Sequence, residues 1–297
     1  MASLYRIIKQ NPLNLLFIVA LMAVWAELAH WDAMFVFLFS AVGVIPLANY
    51  IGKATEELAV YSGPKIGGLL NATLGNMAEL IITLVAINAG LLELVKASIT
   101  GSIIGNLLLV LGLSMAVGGL KNGIQRFDKR QAMSQSLLLA LAVMALVIPS
   151  FFSHSIGEEG SLKIEALSLG VAGVMIVLYV LGVIYSLKVL NSPLAQPLET
   201  KHAEWSINKS IIVLAVSTIG IVVLSELLVG AVEHVVESWG LSEFFLGIIL
   251  IPIIGNAAEH LVSVQVALRN QMDLSVEIAV SSSLQIALFV APFRSEE

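Results

Sequence analysis

The sequence contains no cysteine and few charged side chains. Without cysteine there can be no disulfide framework, thiolate metal site or cysteine nucleophile, so any metal must be bound through oxygen or imidazole. Only 12% of the 297 residues are charged and 58% are apolar, against about 25% and 45–50% in an ordinary soluble domain. The net charge of −6, without a basic cluster, argues against a nucleic-acid partner.

Long apolar runs follow one another along the whole chain, and the mean hydropathy is +0.95. Continuous runs of about 20 apolar residues are typical of transmembrane helices, whereas a β-barrel would show alternating segments of about ten residues. The sequence therefore predicts an all-α integral membrane protein with nine visible spans, near residues 13–28, 33–51, 66–89, 97–120, 133–151, 166–187, 210–230, 241–268 and 276–292.

The basic residues predict the orientation of these spans. With a cytoplasmic N-terminus, twelve of the fifteen Lys and Arg residues lie inside, which satisfies the positive-inside rule. The first span follows Arg6 and Lys9 without a small-residue cleavage site, so we interpret it as a retained anchor. We expect a multi-pass protein of a prokaryotic plasma membrane, in contact with lipid. A homo-oligomer is compatible with the sequence.

Two sequence blocks recur at an offset of 180 residues. The segment GGLLNATLGNMAEL, residues 67–80, returns as GIILIPIIGNAAEH, residues 247–260, and GSIIGNLLLV, residues 101–110, returns as SSSLQIALFV, residues 281–290. The two G-N-x-A-E motifs lie on the third and eighth spans. Because the third and eighth spans are five positions apart, an odd number, the two halves must have opposite orientations in the membrane.

The repeat predicts an inverted-repeat transporter fold with a leading helix and two homologous halves. We assign residues 1–32 to the leading helix, 33–190 to a first repeat of five spans, 191–209 to a cytoplasmic linker and 210–297 to an inverted second repeat. Only three spans of the second repeat are visible, so eleven spans are expected where nine are seen. Such repeats place the transported substrate near the bilayer midplane, on helices interrupted by Gly or Pro. The expected helix breaks are at Gly75, Gly255 and Pro252.

One glutamate in each repeat, Glu79 and Glu259, lies deep within an apolar span. A charged residue there costs about 2.5–3.5 kcal/mol on insertion scales, and an intramembrane carboxyl is by default a functional candidate. Two such carboxylates can bind protons or a divalent cation, but without either their negative charges are energetically costly in an apolar span. This chemistry is typical of an antiporter, in which two kinds of cation compete for one site.

Neutral oxygens near these glutamates extend the predicted metal-binding set. Ca²⁺ prefers six to eight oxygen ligands in a flexible shell, whereas Mg²⁺ requires a tighter octahedron. Mn²⁺ accepts the same ligands, and no resident cofactor is expected. The predicted metal and proton-carrying residues are Glu79 and Glu259, and the predicted neutral ligands are Asn76, Asn256, Ser102, Ser282 and Gln285.

The segments GNMAELII and GNAAEHLVS, each followed by its second block, resemble the two signature repeats of the calcium/proton exchangers, a family of the calcium/cation antiporter superfamily. The resemblance implies secondary active exchange of Ca²⁺ for H⁺ by alternating access. It also implies that Glu79 and Glu259 are the essential cation and proton carriers.

Several alternatives remain open at the level of sequence. Gly101 and Gly105 form a G-x-x-x-G pattern that is more typical of helix packing than of ion binding. Glu226 is a weaker candidate for a proton relay, and His260 is more typical of helix packing. Na⁺-coupled exchange or a cation channel would use the same carboxylates. No H-E-x-x-H or G-x-S-x-G motif occurs, so we do not expect an enzyme.

Overall fold

The computed structural model describes residues 12–156, 162–188 and 203–292. Most of the predicted linker (191–202) and the last five residues (293–297) lie outside these ranges. The described part of the chain is helical and contains no strand, which confirms the predicted all-α class. The helices are α1 (Leu16–Leu28), α2 (Ala33–Leu74), α3 (Met77–Asn88), α4 (Leu92–Asn122), α5 (Lys129–Ile156), α6 (Leu162–Lys188), α7 (Ile207–Gly230), α8 (Val232–Trp239), α9 (Glu243–Gly255), α10 (Ala257–Leu268) and α11 (Met272–Val290).

The apolar helices agree with the predicted spans. By length and composition, five helical segments of the described chain can cross a membrane, and a sixth span is the broken pair Glu243–Gly255 and Ala257–Leu268. Three shorter apolar helices are Leu13–Leu28, Met77–Asn88 and Ala132–Ile148. One of these segments falls on each of the nine predicted spans.

The sequence places the boundary between the second and third spans between residues 51 and 66, and the structure places it at Gly63. The second span covers Ala33–Gly63, and a kink at Gly63, with φ 79° and ψ 169°, separates it from the segment that ends at Leu74; α2 contains both segments. Residues 53–59, KATEELA, are mostly of types that favour helix, so the helix continues up to Gly63. Gly63 adopts the positive φ, and its extended ψ suits the residue before Pro64. The break that ends the helix occurs later, at residues 75–76.

The described helices form two compact units that cut across the sequence repeats. Unit 1 combines residues 1–98 with 190–258, and unit 2 combines residues 99–189 with 259–297. Each unit therefore contains segments of both repeats, and each places a glutamate of one repeat among residues of the other.

In unit 1, α2 packs along α7, and α1 packs on α2. Small residues allow this close approach. A Cβ at Gly43 would lie 2.8 Å from the Ala20 Cα, and one at Gly220 would lie 2.9 Å from a Leu47 methyl group. Gly43 thus lets α2 approach α1, and Gly220 lets α7 approach α2.

Trp205, which lies just before α7, attaches the end of the linker to α2. Its backbone N–H donates to Glu57 Oε2 at 3.1 Å, and its carbonyl accepts from the Tyr61 hydroxyl at 2.7 Å. Tyr50 stacks on the Trp205 ring at 6.0 Å, and Lys209 Nζ lies 4.3 Å from the ring centroid. The buried Glu57 thus fixes the backbone of Trp205 against α2.

A third close approach in unit 1 gives a stability prediction. A Cβ at Gly247 of α9 would lie 2.6 Å from the Ala97 Cβ and 2.7 Å from the Leu94 carbonyl oxygen. Because a backbone atom cannot swing aside as a flexible side chain can, we expect Gly247→Ala to lower the free energy of unfolding by about 1–3 kcal/mol. Thermal unfolding of the purified protein in detergent measures this change.

The matched control is Gly119→Ala on α4, where a Cβ would meet no atom within 4 Å. In a helix, alanine is favoured over glycine by about 1 kcal/mol, so this variant should be at least as stable as the original protein. Equal stability of the two variants would contradict the close packing of α9.

In unit 2, α5 and α6 pack on α11, and the Tyr179 ring stacks on Phe289 at 5.1 Å. Hydroxyl groups connect three helices in the interior. Ser114 and Ser263 lie 3.2 Å apart, and Ser263 and Ser275 lie 2.9 Å apart, all three fully buried. This arrangement keeps polar groups hydrogen-bonded inside an apolar bundle.

Candidate functional site

The first repeat is interrupted where the sequence places its G-N-x-A-E motif. Helix α2 ends at Leu74, Gly75 and Asn76 form a turn, and α3 begins at Met77. Asn76 has φ −99° and ψ 29°, its side chain is buried, and its carbonyl accepts from the N–H of Leu80. Glu79 therefore lies in the first turn of α3, where unpaired N–H groups favour a carboxylate.

The second repeat is interrupted in the same way. Helix α9 ends at Gly255, and Asn256 has φ −94° and ψ 8° before α10 begins at Ala257. The Asn256 N–H and Nδ2 both donate to the Pro252 carbonyl, at 3.0 and 3.1 Å. The interruption lies at Asn256. Pro252 itself remains inside α9, directly after a π-helical turn at Leu246–Leu250.

Within unit 1 the carboxylate of Glu79 lies against the helix end of the opposite repeat. Glu79 is only 8% exposed. An ideal Cβ at Gly255 would lie 3.2 Å from Glu79 Oε1, 3.3 Å from Cγ and 3.4 Å from Cδ. A side chain at position 255 would displace the Glu79 carboxylate, so glycine is required there for the carboxylate to keep its observed position. The structure therefore brings Glu79 together with Gly255, the residue immediately before Asn256.

Within unit 2, Glu259 lies in the first turn of α10, the counterpart of the position of Glu79 in α3. The Ser282 hydroxyl of α11 donates a hydrogen bond to the Glu259 carboxylate. The other carboxylate oxygen, Oε2, is buried and has no hydrogen-bond partner among the described residues. A buried carboxylate oxygen of this kind needs a proton or a cation.

Ser282 belongs to a longer hydrogen-bonded chain in unit 2. Asn106 Nδ2 donates to Ser282 Oγ at 3.1 Å, and Asn106 Oδ1 lies 3.1 Å from His260 Nε2. Asn106 and Ser282 are both buried. The sequence repeat did not single out Asn106, because its counterpart is Ile286, and His260 was interpreted as a packing residue. An asparagine within an apolar span was the one available signal.

The two remaining predicted ligands also lie in unit 2. Ser102 is buried in α4, and Gln285 Nε2 donates to Ser281 Oγ at 3.5 Å. A π-helical turn follows each position, at Gly105–Val110 in α4 and at Ile286–Val290 in α11. These turns are repeat counterparts, and π-helical turns inside α-helices often occur at functional sites.

The ionisable side chains restrict the kind of metal site that can form. In the residues that the structure describes, no group of three or more His, Asp or Glu side chains is arranged to hold a metal ion. A cation bound by Glu79 or Glu259 would therefore take most of its ligands from amide, hydroxyl and carbonyl oxygens. Such ligands suit Ca²⁺, whose shell accepts mixed oxygen donors. Glu226, the weaker candidate, is exposed on α7.

Comparison with known proteins identifies the family. The family model of the sodium/calcium exchanger protein matches residues 33–188 and 209–295. The Ca²⁺/H⁺ antiporter ChaA of Bacillus subtilis is 46% identical over 277 residues, which cover 91% of this chain and 78% of the relative. The chain belongs to the calcium/proton exchanger family. The chain is also 43% identical to the Ca²⁺/H⁺ antiporter of Aphanothece halophytica over 296 residues, covering 94% of this chain and 78% of the relative.

Solved structures agree with this assignment. Native YfkE has a TM-score of 0.78 and 42% identity to this chain, covering 94% of this chain and 80% of that chain. The H⁺/Ca²⁺ exchanger CAX has a TM-score of 0.73 at 16% identity, covering 96% and 73% of the two chains, which shows a shared fold. This family member is thus a multi-pass membrane protein with an inverted-repeat transporter fold, as the sequence predicted.

Proposed function

We propose that this protein exchanges Ca²⁺ for H⁺ across a membrane and that it is a transporter without enzymatic activity. The observation that carries the proposal is the pair of glutamates at equivalent helix interruptions. Glu79 is nearly fully buried, and Glu259 has a buried oxygen without a hydrogen-bond partner among the described residues. The names of two relatives, both Ca²⁺/H⁺ antiporters, support the same function.

The proposed mechanism uses the two carboxylates as carriers for either kind of cation. In one loading they take protons, and in the other they bind Ca²⁺ together with the oxygens of Asn76, Asn256, Ser102, Ser282 and Gln285. Because a buried unpaired carboxylate is costly, the unloaded protein should not change its access from one side to the other. This restriction couples the two ions, since each passage of Ca²⁺ requires return with protons.

Alternating access follows from the inverted repeats. In such transporters one bundle moves relative to the other around a fixed site at the bilayer midplane. We propose that Glu79 and Glu259 define this site. Mn²⁺ remains a second candidate cargo, because it accepts the same carboxylate and carbonyl ligands. We further propose a prokaryotic plasma membrane with a cytoplasmic N-terminus, in line with the distribution of Lys and Arg.

Na⁺-coupled Ca²⁺ exchange is the second candidate, because the matching family model is described as a sodium/calcium exchanger protein. The test is uptake of radiolabelled Ca²⁺ into proteoliposomes under a pH gradient, a sodium gradient or no gradient, while the internal pH is followed. We expect uptake under the pH gradient only, with coupled movement of protons. Uptake that requires sodium would replace the proposal with Na⁺-coupled exchange.

The movement of protons that accompanies Ca²⁺ flux distinguishes an exchanger from a channel. A channel dissipates the Ca²⁺ gradient with no fixed movement of protons. Empty liposomes and liposomes that contain the Glu259→Gln variant serve as controls. Ca²⁺ flux down its gradient without any coupled movement of protons would contradict antiport.

A further inference from the structure

Asn106 lies in the middle of a hydrogen-bonded chain that ends on Glu259. The chain runs from His260 on α10 to Asn106 on α4, then to Ser282 on α11, and finally to the carboxylate of Glu259 on α10. Asn106 is 2% exposed and Ser282 is 4% exposed. Buried amides and hydroxyls in such a network have few other partners, so each hydrogen bond restricts its neighbours.

The donor and acceptor roles along the chain follow from the chemistry of each group. The Asn106 amide nitrogen donates to Ser282 Oγ, so its carbonyl oxygen, which can only accept, receives the Nε2 proton of His260. Since Ser282 accepts from Asn106, its own hydroxyl proton is directed to Glu259. The other carboxylate oxygen, Glu259 Oε2, has no hydrogen-bond partner in the part of the chain that the structure describes.

The asparagine and the histidine of this chain occur in one repeat only. The counterpart of Asn106 is Ile286 and the counterpart of His260 is Leu80, so the equivalent polar pair is replaced by two apolar residues. Ser102, the counterpart of Ser282, therefore has no asparagine at the matching repeat position.

We propose that Asn106 is a positioning residue for the cation site. It orients the Ser282 hydroxyl toward Glu259 and thereby fixes the carboxylate so that its Oε2 can face the cation. Asn106 acts through Ser282 and does not itself contact the cation. The proposal rests on the proposed exchange function.

The test is a comparison of Ca²⁺ KM and maximal rate for exchange by the full chain in proteoliposomes. We expect Asn106→Leu to raise KM for Ca²⁺ about 3- to 10-fold, the size of one hydrogen bond, and to change the maximal rate per folded protein by less than about twofold. Asn106→Ala, which removes the amide without adding an apolar side chain of similar size, should also raise KM and leave the maximal rate nearly unchanged. Ser282→Ala should raise KM at least as much.

The double variant Asn106→Leu/Ser282→Ala distinguishes positioning from a general packing role. If Asn106 acts through Ser282, the double variant has the KM of Ser282→Ala alone. Asn122→Leu is the matched control, because Asn122 is also an amide on α4 but donates to the Ala267 and Leu268 carbonyls. It should lower thermal stability and leave KM unchanged.

Two results would overturn the inference. One is an unchanged KM for Ca²⁺ in both Asn106→Leu and Asn106→Ala. The other is a KM in the double variant that rises by the product of the fold-increases of the two single variants. A parent protein that shows no proton-driven Ca²⁺ uptake would refute the proposed function and this inference together. A parent protein that exchanges normally while Asn106 proves neutral would refute the inference alone.

Discussion

Glu259→Gln is expected to abolish Ca²⁺/H⁺ exchange, with a loss of at least about 100-fold in rate, while the protein still folds. Glutamine preserves the shape of the side chain and can still accept from Ser282, but it cannot take up a proton or neutralise a cation. Removing one partner of a buried charge pair costs about 3–5 kcal/mol, which corresponds to more than 100-fold in affinity. Proton-driven uptake of radiolabelled Ca²⁺ measures the effect.

Glu79→Gln should give the same loss, because the proposed exchange requires both carboxylates. The matched control is Glu237→Gln on α8, where the carboxyl is exposed and lies outside both helix interruptions. Its exchange rate should stay within about twofold of the original. Each variant is first checked for an unchanged thermal unfolding profile. Full exchange in a folded Glu79→Gln or Glu259→Gln protein would remove that glutamate from the mechanism.

Substitution at Gly255 is expected to have the next largest effect, through Glu79. The Cβ of Gly255→Ala would come within 3.2–3.4 Å of three Glu79 atoms, so the carboxylate must move by a few tenths of an ångström. The larger side chain of Gly255→Leu cannot be accommodated without displacing Glu79. A displaced carboxylate binds its cation less well, and a loss of about 1–3 kcal/mol of binding corresponds to about 5- to 100-fold slower exchange for Gly255→Leu, with a smaller effect for Gly255→Ala.

The matched control for these variants is Gly112→Leu on α4, where a Cβ would meet no atom within 4 Å. Exchange and thermal unfolding are measured for each protein. A graded loss of exchange from alanine to leucine, with little change in unfolding temperature, would place the effect on Glu79. Normal exchange in Gly255→Leu would contradict the close contact between Gly255 and the Glu79 carboxylate.

The helical class and the positions of the nine apolar segments could be predicted, because hydropathy and the 180-residue repeat are local signals. The sequence placed the boundary between the second and third spans only within residues 52–65, and the structure places it at Gly63. Residues 52–62 look like an interhelical loop because many of them are polar, yet they are helical up to Gly63, whose positive φ is readily adopted by glycine. Ala, Glu and Leu favour helix whether or not lipid surrounds them, so polarity alone does not end a helix.

The candidate site shows the same division. Glu79 and Glu259 could be predicted because both glutamates follow a repeated Gly-Asn pair in an apolar span. Asn106 could not, because its repeat counterpart is Ile286, and a search based on symmetry discards a residue that occurs on one side only. Pro252 is the most obvious helix breaker in the chain, but the interruption lies four residues later at Asn256, whose backbone and amide both bond to the Pro252 carbonyl.

The sequence by itself determined that the protein lies in a lipid bilayer, that it is all-helical, that its halves form an inverted repeat and that two carboxyls lie within apolar spans. Composition and periodicity decide these features, because lipid requires long apolar helices and penalises unmatched charge. Only the tertiary structure decided that Glu79 lies against Gly255 of the other repeat and that Asn106 and Ser282 support Glu259. The contacts of Glu79 with Gly255 and of Asn106 with Ser282 each join residues 176 positions apart, and close packing in three dimensions selects them.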